Sequence, residues 1–90
     1  MTLIRDQVVL VTGASRGLGK AFVAELLARG AKKVYATARD PRTIAIDDAR
    51  VVPLPLDITD AASVNALAAQ VGDLTMLVNN AGILVGASLL

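Results

Sequence analysis

The chain has 90 residues, of which 54% are hydrophobic and 19% are charged, and its formal net charge at pH 7 is +1. This composition excludes an intrinsically disordered chain, and the length allows one domain at most. Because nine basic and eight acidic residues nearly cancel and are scattered, no nucleic-acid-binding surface is expected.

The residue types that are missing exclude further classes of protein. Without cysteine the chain forms no disulfide, and without histidine as well a zinc site is not expected. The absence of cysteine also makes the cytoplasm the expected location. No apolar run approaches membrane-spanning length and the N-terminus lacks a signal-peptide pattern, so no membrane partner is expected.

The first predicted strand, residues 8–11, is apolar at every position. A strand without alternation of apolar and polar residues is expected to be buried on both faces of a parallel sheet. Gly13, Gly17 and Gly19 follow it, and they allow a sharp turn, close approach of a ligand and packing of the next helix. The free N–H groups at the start of that helix predict a site for a phosphate or pyrophosphate.

Three interpretations of this glycine turn compete. In the first, the glycines serve only a strand–helix connection. The second is a P-loop, Gly-x-x-x-x-Gly-Lys-Ser/Thr, which is excluded because five residues separate Gly13 from Gly19 and Ala21 follows Lys20. The third is a nucleotide-binding turn spaced Gly-x-x-x-Gly-x-Gly, and its position between a strand and a helix favours it.

The residues after the turn predict a helix and a second strand. Glu25 and Arg29 form a favourable i,i+4 pair, and Gly30 is expected to end the helix in a left-handed conformation. Residues 32–38 then form the second strand, at the distance that a right-handed βαβ crossover requires.

Arg39 and Asp40 follow the second strand, where open parallel sheets contact the ribose of a dinucleotide. A carboxylate there would accept hydrogen bonds from the 2′-hydroxyl of NAD, whereas an arginine would pair with the 2′-phosphate of NADP. Asp40 precedes Pro41 and is therefore expected to cap a local turn. Since Arg16 adds a second positive charge, NADP is favoured over NAD.

The middle of the chain predicts an edge strand. Residues 41–50 are too few for a full crossover helix, so a turn or a single helical turn is expected there. Residues 51–56 form the third strand. Pro53 and Pro55 cannot donate hydrogen bonds to a neighbouring strand, which confines this strand to a sheet edge.

A second helix follows, with Thr59 or Asp60 as its N-cap and Gly72 at its end. It has no assignable chemistry and is expected to belong to the core. Its predicted inward stripe is Val64, Leu67, Ala68 and Val71.

The fourth strand is predicted at residues 74–78, beside the first, and a polar segment follows its carboxyl end. In open parallel sheets ligands bind at this edge, where the strand order reverses. The small residues Ala81 and Gly82 would let a ribose or nicotinamide approach the backbone. Asn79 is expected to be structural, whereas Asn80, Ala81 and Gly82 are expected to border the cofactor.

Three segments of the chain resemble the short-chain dehydrogenase/reductase family. They are Thr-Gly-Ala-Ser-Arg-Gly-Leu-Gly at 12–19, Leu-Asp-Ile-Thr-Asp at 56–60 and Leu-Val-Asn-Asn-Ala-Gly at 77–82, in the order of the family. The resemblance covers nearly the whole chain. It implies a Rossmann-like three-layer α/β sandwich with a parallel sheet of about four strands in the order 3-2-1-4. Residues 1–90 are then a single, partial dinucleotide-binding domain.

The resemblance also implies the cofactor and its contacts. Family members that use NADP carry basic residues at the positions of Arg16 and Arg39. The carboxylate of Asp57 would take the adenine amino group while the backbone of Ile58 contacts the ring; alternatively, Asp57 only caps its turn. The expected cofactor-binding residues are Gly13, Ser15, Arg16, Gly17, Leu18, Gly19, Arg39, Asp57, Ile58, Asn80, Ala81 and Gly82.

Hydride transfer in this family uses a serine, an asparagine and a Tyr-x-x-x-Lys helix whose tyrosine is the acid/base. The one tyrosine here, Tyr35, lies in a predicted strand with Arg39 four residues later, so no catalytic residue is assigned. The chain is expected to be the cofactor-binding portion of a longer reductase that transfers hydride between NADP(H) and a carbonyl or alcohol. The alternative is a truncated or engineered, inactive fragment that self-associates. An exposed edge of the fourth strand predicts a homo-oligomer.

Overall fold

A computed structural model describes residues 4–80 of the chain. Four strands and two helices alternate along it: β1 (Val8–Val11), α1 (Gly17–Ala28), β2 (Lys33–Ala38), β3 (Val51–Pro55), α2 (Ala61–Gln70) and β4 (Met76–Val78). One turn of 3₁₀ helix, Pro41–Thr43, follows β2. No helix among residues 4–80 has the length and apolar character needed to span a bilayer.

The four strands form one parallel sheet in the order β3-β2-β1-β4, which confirms the predicted topology. In the centre, Val9 of β1 lies opposite Val34 of β2 on one side and Met76 of β4 on the other. All four residues of β1 are buried, because both faces of the sheet are covered. Within residues 4–80, β3 with its two prolines lies at an edge, as predicted.

Each face of the sheet has its own apolar core, so the architecture is the predicted three-layer sandwich. Side chains of β1 alternate between the two cores, as the period of two of a strand requires. The core on the α1 side includes Val9, Val11, Val23, Leu26 and Val34. The core on the α2 side includes Val8, Leu10, Tyr35, Leu67 and Val71.

The local signals at the ends of the elements behave as predicted, with one exception. Gly30 after α1 has φ +89, and the carboxylate of Asp60 accepts a hydrogen bond from the N–H of Ala62 at 3.0 Å, which makes Asp60 the N-cap of α2. Arg29 donates from Nε to Glu25 at 2.6 Å. The exception is the conformation of Gly72: it directly follows Val71, the C-cap of α2, where the helix was predicted to end, but it does not adopt a positive φ.

The inward stripe predicted for α2 is too wide. Leu67 and Val71 are buried, but Val64 is 42% exposed and Ala68 is exposed as well. The buried residues pack on Leu56, Val8 and the other side chains of the α2-side core. A ten-residue helix that touches a sheet along one line buries the residues on that line, and the flanking positions face outwards.

Gly19 lies where α1 comes closest to the turn after β1. A Cβ on residue 19 would overlap the carbonyl oxygen of Gly13 and would lie 2.8 Å from Nδ2 of Asn80. The obstructing carbonyl is backbone and cannot rotate away. The third glycine of the turn is therefore required by the close packing of the helix.

A polar network joins β2 to the turn between α2 and β4. Asp73 accepts hydrogen bonds from Lys33 Nζ at 2.7 Å and from Tyr35 Oη at 2.6 Å, and Lys33 Nζ also donates to Tyr35 Oη at 3.0 Å. The bond from Lys33 and then that from Tyr35 lower the pKa of the Asp73 carboxyl to about 2. The ionised carboxylate thus fastens two segments that lie far apart in the sequence.

We expect Gly19→Ala to lower the free energy of unfolding by about 1–3 kcal/mol, because the helix must move away from the turn. Gly72→Ala is the matched control: a Cβ there would meet nothing within 4 Å, so a change within about 0.5 kcal/mol is expected. Urea denaturation followed by circular dichroism measures both. Equal midpoints for the two variants would contradict the close packing.

We expect stability to fall as the pH drops from about 4 to about 2, since a carboxyl whose folded pKa is depressed stabilises the fold above its unfolded pKa and loses that effect on protonation. The slope of the unfolding free energy against pH measures how many more protons the unfolded state binds than the folded state. Asp73→Asn should reduce that number by up to about one. Part of the fall should persist, because the Arg50 guanidinium also holds the pKa of Asp48 at about 2. Urea midpoints at pH 7, 4, 3 and 2 measure the effect, and identical profiles for variant and wild type would refute it.

Candidate functional site

A cleft of about 840 Å³ opens at the edge where the carboxyl ends of the strands meet. Its volume lies within the range of small-molecule sites, and its position is that of ligand sites in open parallel sheets. Its walls come from the turn after β1, the segment after β2, the end of β3 and the end of β4. The lining residues are Thr12, Gly13, Ser15, Arg16, Gly17, Thr37, Ala38, Arg39, Asp40, Thr43, Leu56, Ile58 and Asn80.

Seven of the residues predicted from the sequence line this cleft: Gly13, Ser15, Arg16, Gly17, Arg39, Ile58 and Asn80. Three others do not. Leu18 is 63% exposed, Gly19 is buried against the turn, and Asp57 lies next to Ile58 without lining the cleft. Ala81 and Gly82 lie outside the described residues.

The glycine turn presents backbone donors to the cleft. Gly13 and Gly17 have φ +64 and +60, a conformation that residues with a side chain rarely adopt. Arg16, the N-cap of α1, makes no side-chain capping bond, and no acidic residue lies in the first turn. None of the hydrogen bonds among residues 4–80 uses the amides of Gly17 or Leu18. Together with the helix dipole, these amides suit an anion.

Thr12 connects the glycine turn to the end of β4, and the sequence reasoning missed it. Its hydroxyl donates to Asn79 Oδ1 at 3.1 Å and accepts from the Asn80 N–H at 2.7 Å, while its own N–H donates to the Val78 carbonyl at 3.1 Å. Asn80 Nδ2 lies 3.4 Å from the carbonyl oxygen of Gly13. Asn79 therefore has the structural role expected of it, and Asn80 both ties the strands and borders the cleft.

Two arginines give the cleft its positive charge. Arg16 and Arg39 are both exposed, both line the cleft, and neither forms a salt bridge within residues 4–80. Guanidinium groups bind phosphate with paired hydrogen bonds. The pair thus gives the cleft a positively charged wall beside the amides at the start of α1.

Asp40 also lines the cleft, but Arg42 already binds its carboxylate. The backbone N–H and Nε of Arg42 each donate to Oδ1 of Asp40 at 3.0 Å, and Nη2 donates to Oδ2 at 3.0 Å. The side-chain bond and then the backbone bond from Arg42 lower the pKa of Asp40. Asp40 therefore caps the Pro41–Thr43 turn, as its position before Pro41 predicted.

The carboxylate of Asp57 faces its own turn as well. Oδ1 accepts from the Thr59 hydroxyl at 2.6 Å and from the Thr59 N–H at 3.0 Å, and these bonds lower the pKa of Asp57, with a smaller effect from the charge of Arg39. Asp57 thus caps its own turn, which was the alternative to a contact with adenine. Ile58, by contrast, is half exposed and presents an apolar surface to the cleft.

The other lining residues that sequence reasoning missed are Thr37, Ala38, Thr43 and Leu56. Thr37 is fully buried and donates to the Val11 carbonyl at 3.0 Å, whereas Thr43 Oγ1 donates to the Asp40 carbonyl at 2.7 Å. Thr37, Ala38 and Leu56 lie at or just beyond the carboxyl end of a strand, whereas Thr43 lies in the Pro41–Thr43 turn and carries no such signal.

The chain is similar to proteins of known family. The family model described as short chain dehydrogenase matches residues 7–89. The 3-oxoacyl-[acyl-carrier-protein] reductase FabG of Escherichia coli is 42% identical over 84 residues, which cover 86% of this chain and 34% of that protein.

Solved structures agree with this match. A short chain dehydrogenase from Burkholderia cenocepacia in complex with NADP is 46% identical with a TM-score of 0.85, covering 88% of this chain and 33% of that one. An NADPH-bound carbonyl reductase from chicken fatty liver is 43% identical with a TM-score of 0.77, and the match covers 88% of this chain and 38% of that one. The chain thus spans little more than a third of its relatives' length. With its matched segments, its sheet order and the glycine turn at the head of α1, this chain belongs to the short chain dehydrogenase family.

Proposed function

We propose that the cleft binds NADP and that the chain serves as the cofactor-binding portion of an NADP-dependent oxidoreductase. Membership of the family supports a nicotinamide dinucleotide. The observation that carries the choice of NADP is the charge of the cleft. Arg16 and Arg39 form no salt bridge within residues 4–80, although the charge of Arg39 acts weakly on Asp57, whereas the carboxylate of Asp40 is already paired with Arg42.

In this proposal the diphosphate lies at the start of α1. The amides of Gly17 and Leu18 form no hydrogen bond within residues 4–80, Ser15 and Gly17 line the cleft, and the positive end of the helix dipole favours an anion there. Gly19 contributes by allowing α1 to lie close to Gly13, not by contact with the ligand. Leu18 can take part through its backbone although its side chain is exposed.

The 2′-phosphate lies between Arg16 and Arg39. Two guanidinium groups give a divalent phosphate paired, charge-assisted hydrogen bonds, which the 2′-hydroxyl of NAD cannot use to the same extent. Ile58 is exposed on the wall near Arg39 and suits the flat face of an adenine. We assign Asp57 a supporting role there, because its carboxylate holds the turn that presents Ile58.

The nicotinamide end of the cofactor is proposed to lie near Asn80, Ala81 and Gly82. Asn80 is held by Thr12 and lines the cleft beside the glycine turn. When bound, NADP supplies the hydride chemistry, and residues 1–90 position it. The reaction proposed for the whole protein is hydride transfer between the nicotinamide and a carbonyl or alcohol. A cytoplasmic location and a homo-oligomeric state stay predictions.

We expect Arg39→Ala and Arg16→Ala each to weaken NADPH binding about tenfold, since each removes a charge-assisted bond to the 2′-phosphate. NADH binding should change little. Isothermal titration calorimetry with both cofactors measures this. Arg29→Ala, which removes an equal charge at the far end of α1, is the control and should alter neither affinity. An equal loss for NADPH and NADH would count against the assignment.

We also expect residues 1–90 to bind NADPH without oxidising it when ketones and aldehydes are added. The single tyrosine, Tyr35, is buried in β2 and bonded to Asp73, so it cannot act as the acid at the cleft. Absorbance at the nicotinamide band over time measures the reaction. Turnover would mean that another residue of this chain supplies the proton.

A further inference from the structure

The pair formed by Asp40 and Arg42 has an unusual position. Asp40 lines the cleft and its side chain is 44% exposed, whereas Arg42 does not line the cleft and its side chain is 89% exposed. Arg42 nevertheless places Nε and Nη2 on the two oxygens of Asp40, both at 3.0 Å. A residue that does not line the cleft thus holds the carboxylate of a lining residue with two side-chain hydrogen bonds, a fork.

This pair can be compared with a second pair of the same kind in the same chain. Arg50 donates from its backbone N–H and Nε to Oδ1 of Asp48, and from Nη2 to Oδ2, at 2.9, 3.0 and 2.8 Å. Arg50 also donates from Nη1 to the carbonyl oxygen of Leu27 at 3.1 Å, so this pair fastens the end of α1 to the segment before β3. Its role is structural.

The Arg42 side chain fastens nothing else. Among residues 4–80 its hydrogen bonds go to Asp40 alone. An ion pair this exposed contributes little to folding. The fork therefore acts on the carboxylate of Asp40 more than on the stability of the fold.

We propose that Arg42 is a positioning residue for cofactor choice, which disfavours NAD by occupying and neutralising the Asp40 carboxylate. The inference rests on the proposed function, because it concerns the ribose end of the same cleft. It adds to Arg16 and Arg39 a third arginine that acts without touching the cofactor. Its effect passes through Asp40.

Two physical effects combine in this role. An unpaired carboxylate at the ribose would repel a 2′-phosphate, and it would accept hydrogen bonds from the 2′-hydroxyl of NAD. With the fork in place, most of its lone pairs are used and its charge is compensated. Asp40 has a pKa that Arg42 lowers from an ordinary value of 3.8, so at neutral pH it is ionised with or without the fork.

Removing the Arg42 side chain should leave the carboxylate in place. The backbone N–H of residue 42 still donates to Oδ1, and Asp40 still caps the Pro41–Thr43 turn. In the variant the Asp40 carboxylate therefore keeps its position but loses the compensating charge, and the Pro41–Thr43 turn keeps its cap. The ratio of the two cofactor affinities must then shift, which loss of structure alone would not cause.

The test is the ratio of the dissociation constants of NADPH and NADH, measured by calorimetry on Arg42→Ala and on Arg42→Gln. We expect the preference for NADPH to fall by about fivefold in each. Arg29→Ala removes the same charge elsewhere and should keep the ratio of the wild type. In the background of Asp40→Asn, adding Arg42→Ala should change the ratio no further, because residue 40 then carries no negative charge for Arg42 to neutralise.

The outcomes separate the two proposals. If the wild type prefers NADPH and Arg42→Ala keeps its ratio, the role of Arg42 is refuted and the proposed function stands. An equal shift in the Asp40→Asn background also refutes it, since Arg42 would then act on the phosphate directly. If the wild type binds neither cofactor, or prefers NADH, the choice of NADP fails and the role of Arg42 fails with it.

Discussion

Gly13, Gly19 and Asn80 meet at the carboxyl end of β1 with no space for a further carbon atom between them. Because α1 can lie this close only if residue 19 lacks a Cβ, the contact decides how closely the helix packs against the turn after β1. At the start of the helix the amides of Gly17 and Leu18 form no hydrogen bond within residues 4–80, and Gly17 lines the cleft. Thr12 reinforces the contact by binding Asn79 and Asn80, so the first and the fourth strand end at the same place.

The charge of the cleft follows from the turns around it. Asp40, Asp57 and Asp60 each accept a hydrogen bond from the N–H two residues later. Only Asp40 of the three lines the cleft, and there the arginine fork binds the carboxylate in addition to the cap. Arg16 and Arg39 have no such engagement within the described residues. A chain of nearly neutral net charge therefore presents a positive wall to an anion.

The residues that line the cleft are distinct from the one tyrosine of the chain, which lies in the α2-side core. Residues 4–80 build a sheet edge, a helix start and a charged wall, all of which suit a dinucleotide. Tyr35 lies away from this edge, in the α2-side core, where it bonds to Lys33 and Asp73. Its hydroxyl serves the fold, by joining β2 to the turn before β4.

The amino-acid sequence alone determined the glycine turn, the strand order, the caps at Gly30 and Asp40, and the strands to within a few residues, but it left Thr59 and Asp60 open as the N-cap of α2. Each of these depends on a local steric or hydrogen-bonding preference, or on a family resemblance, that can be read within a few residues. Tertiary structure alone decided which side chains share the cleft, as for Thr12, Thr37 and Thr43. It also decided that Val64 and Ala68 face outwards and that Asp73 meets Lys33, because these contacts depend on where distant segments pack.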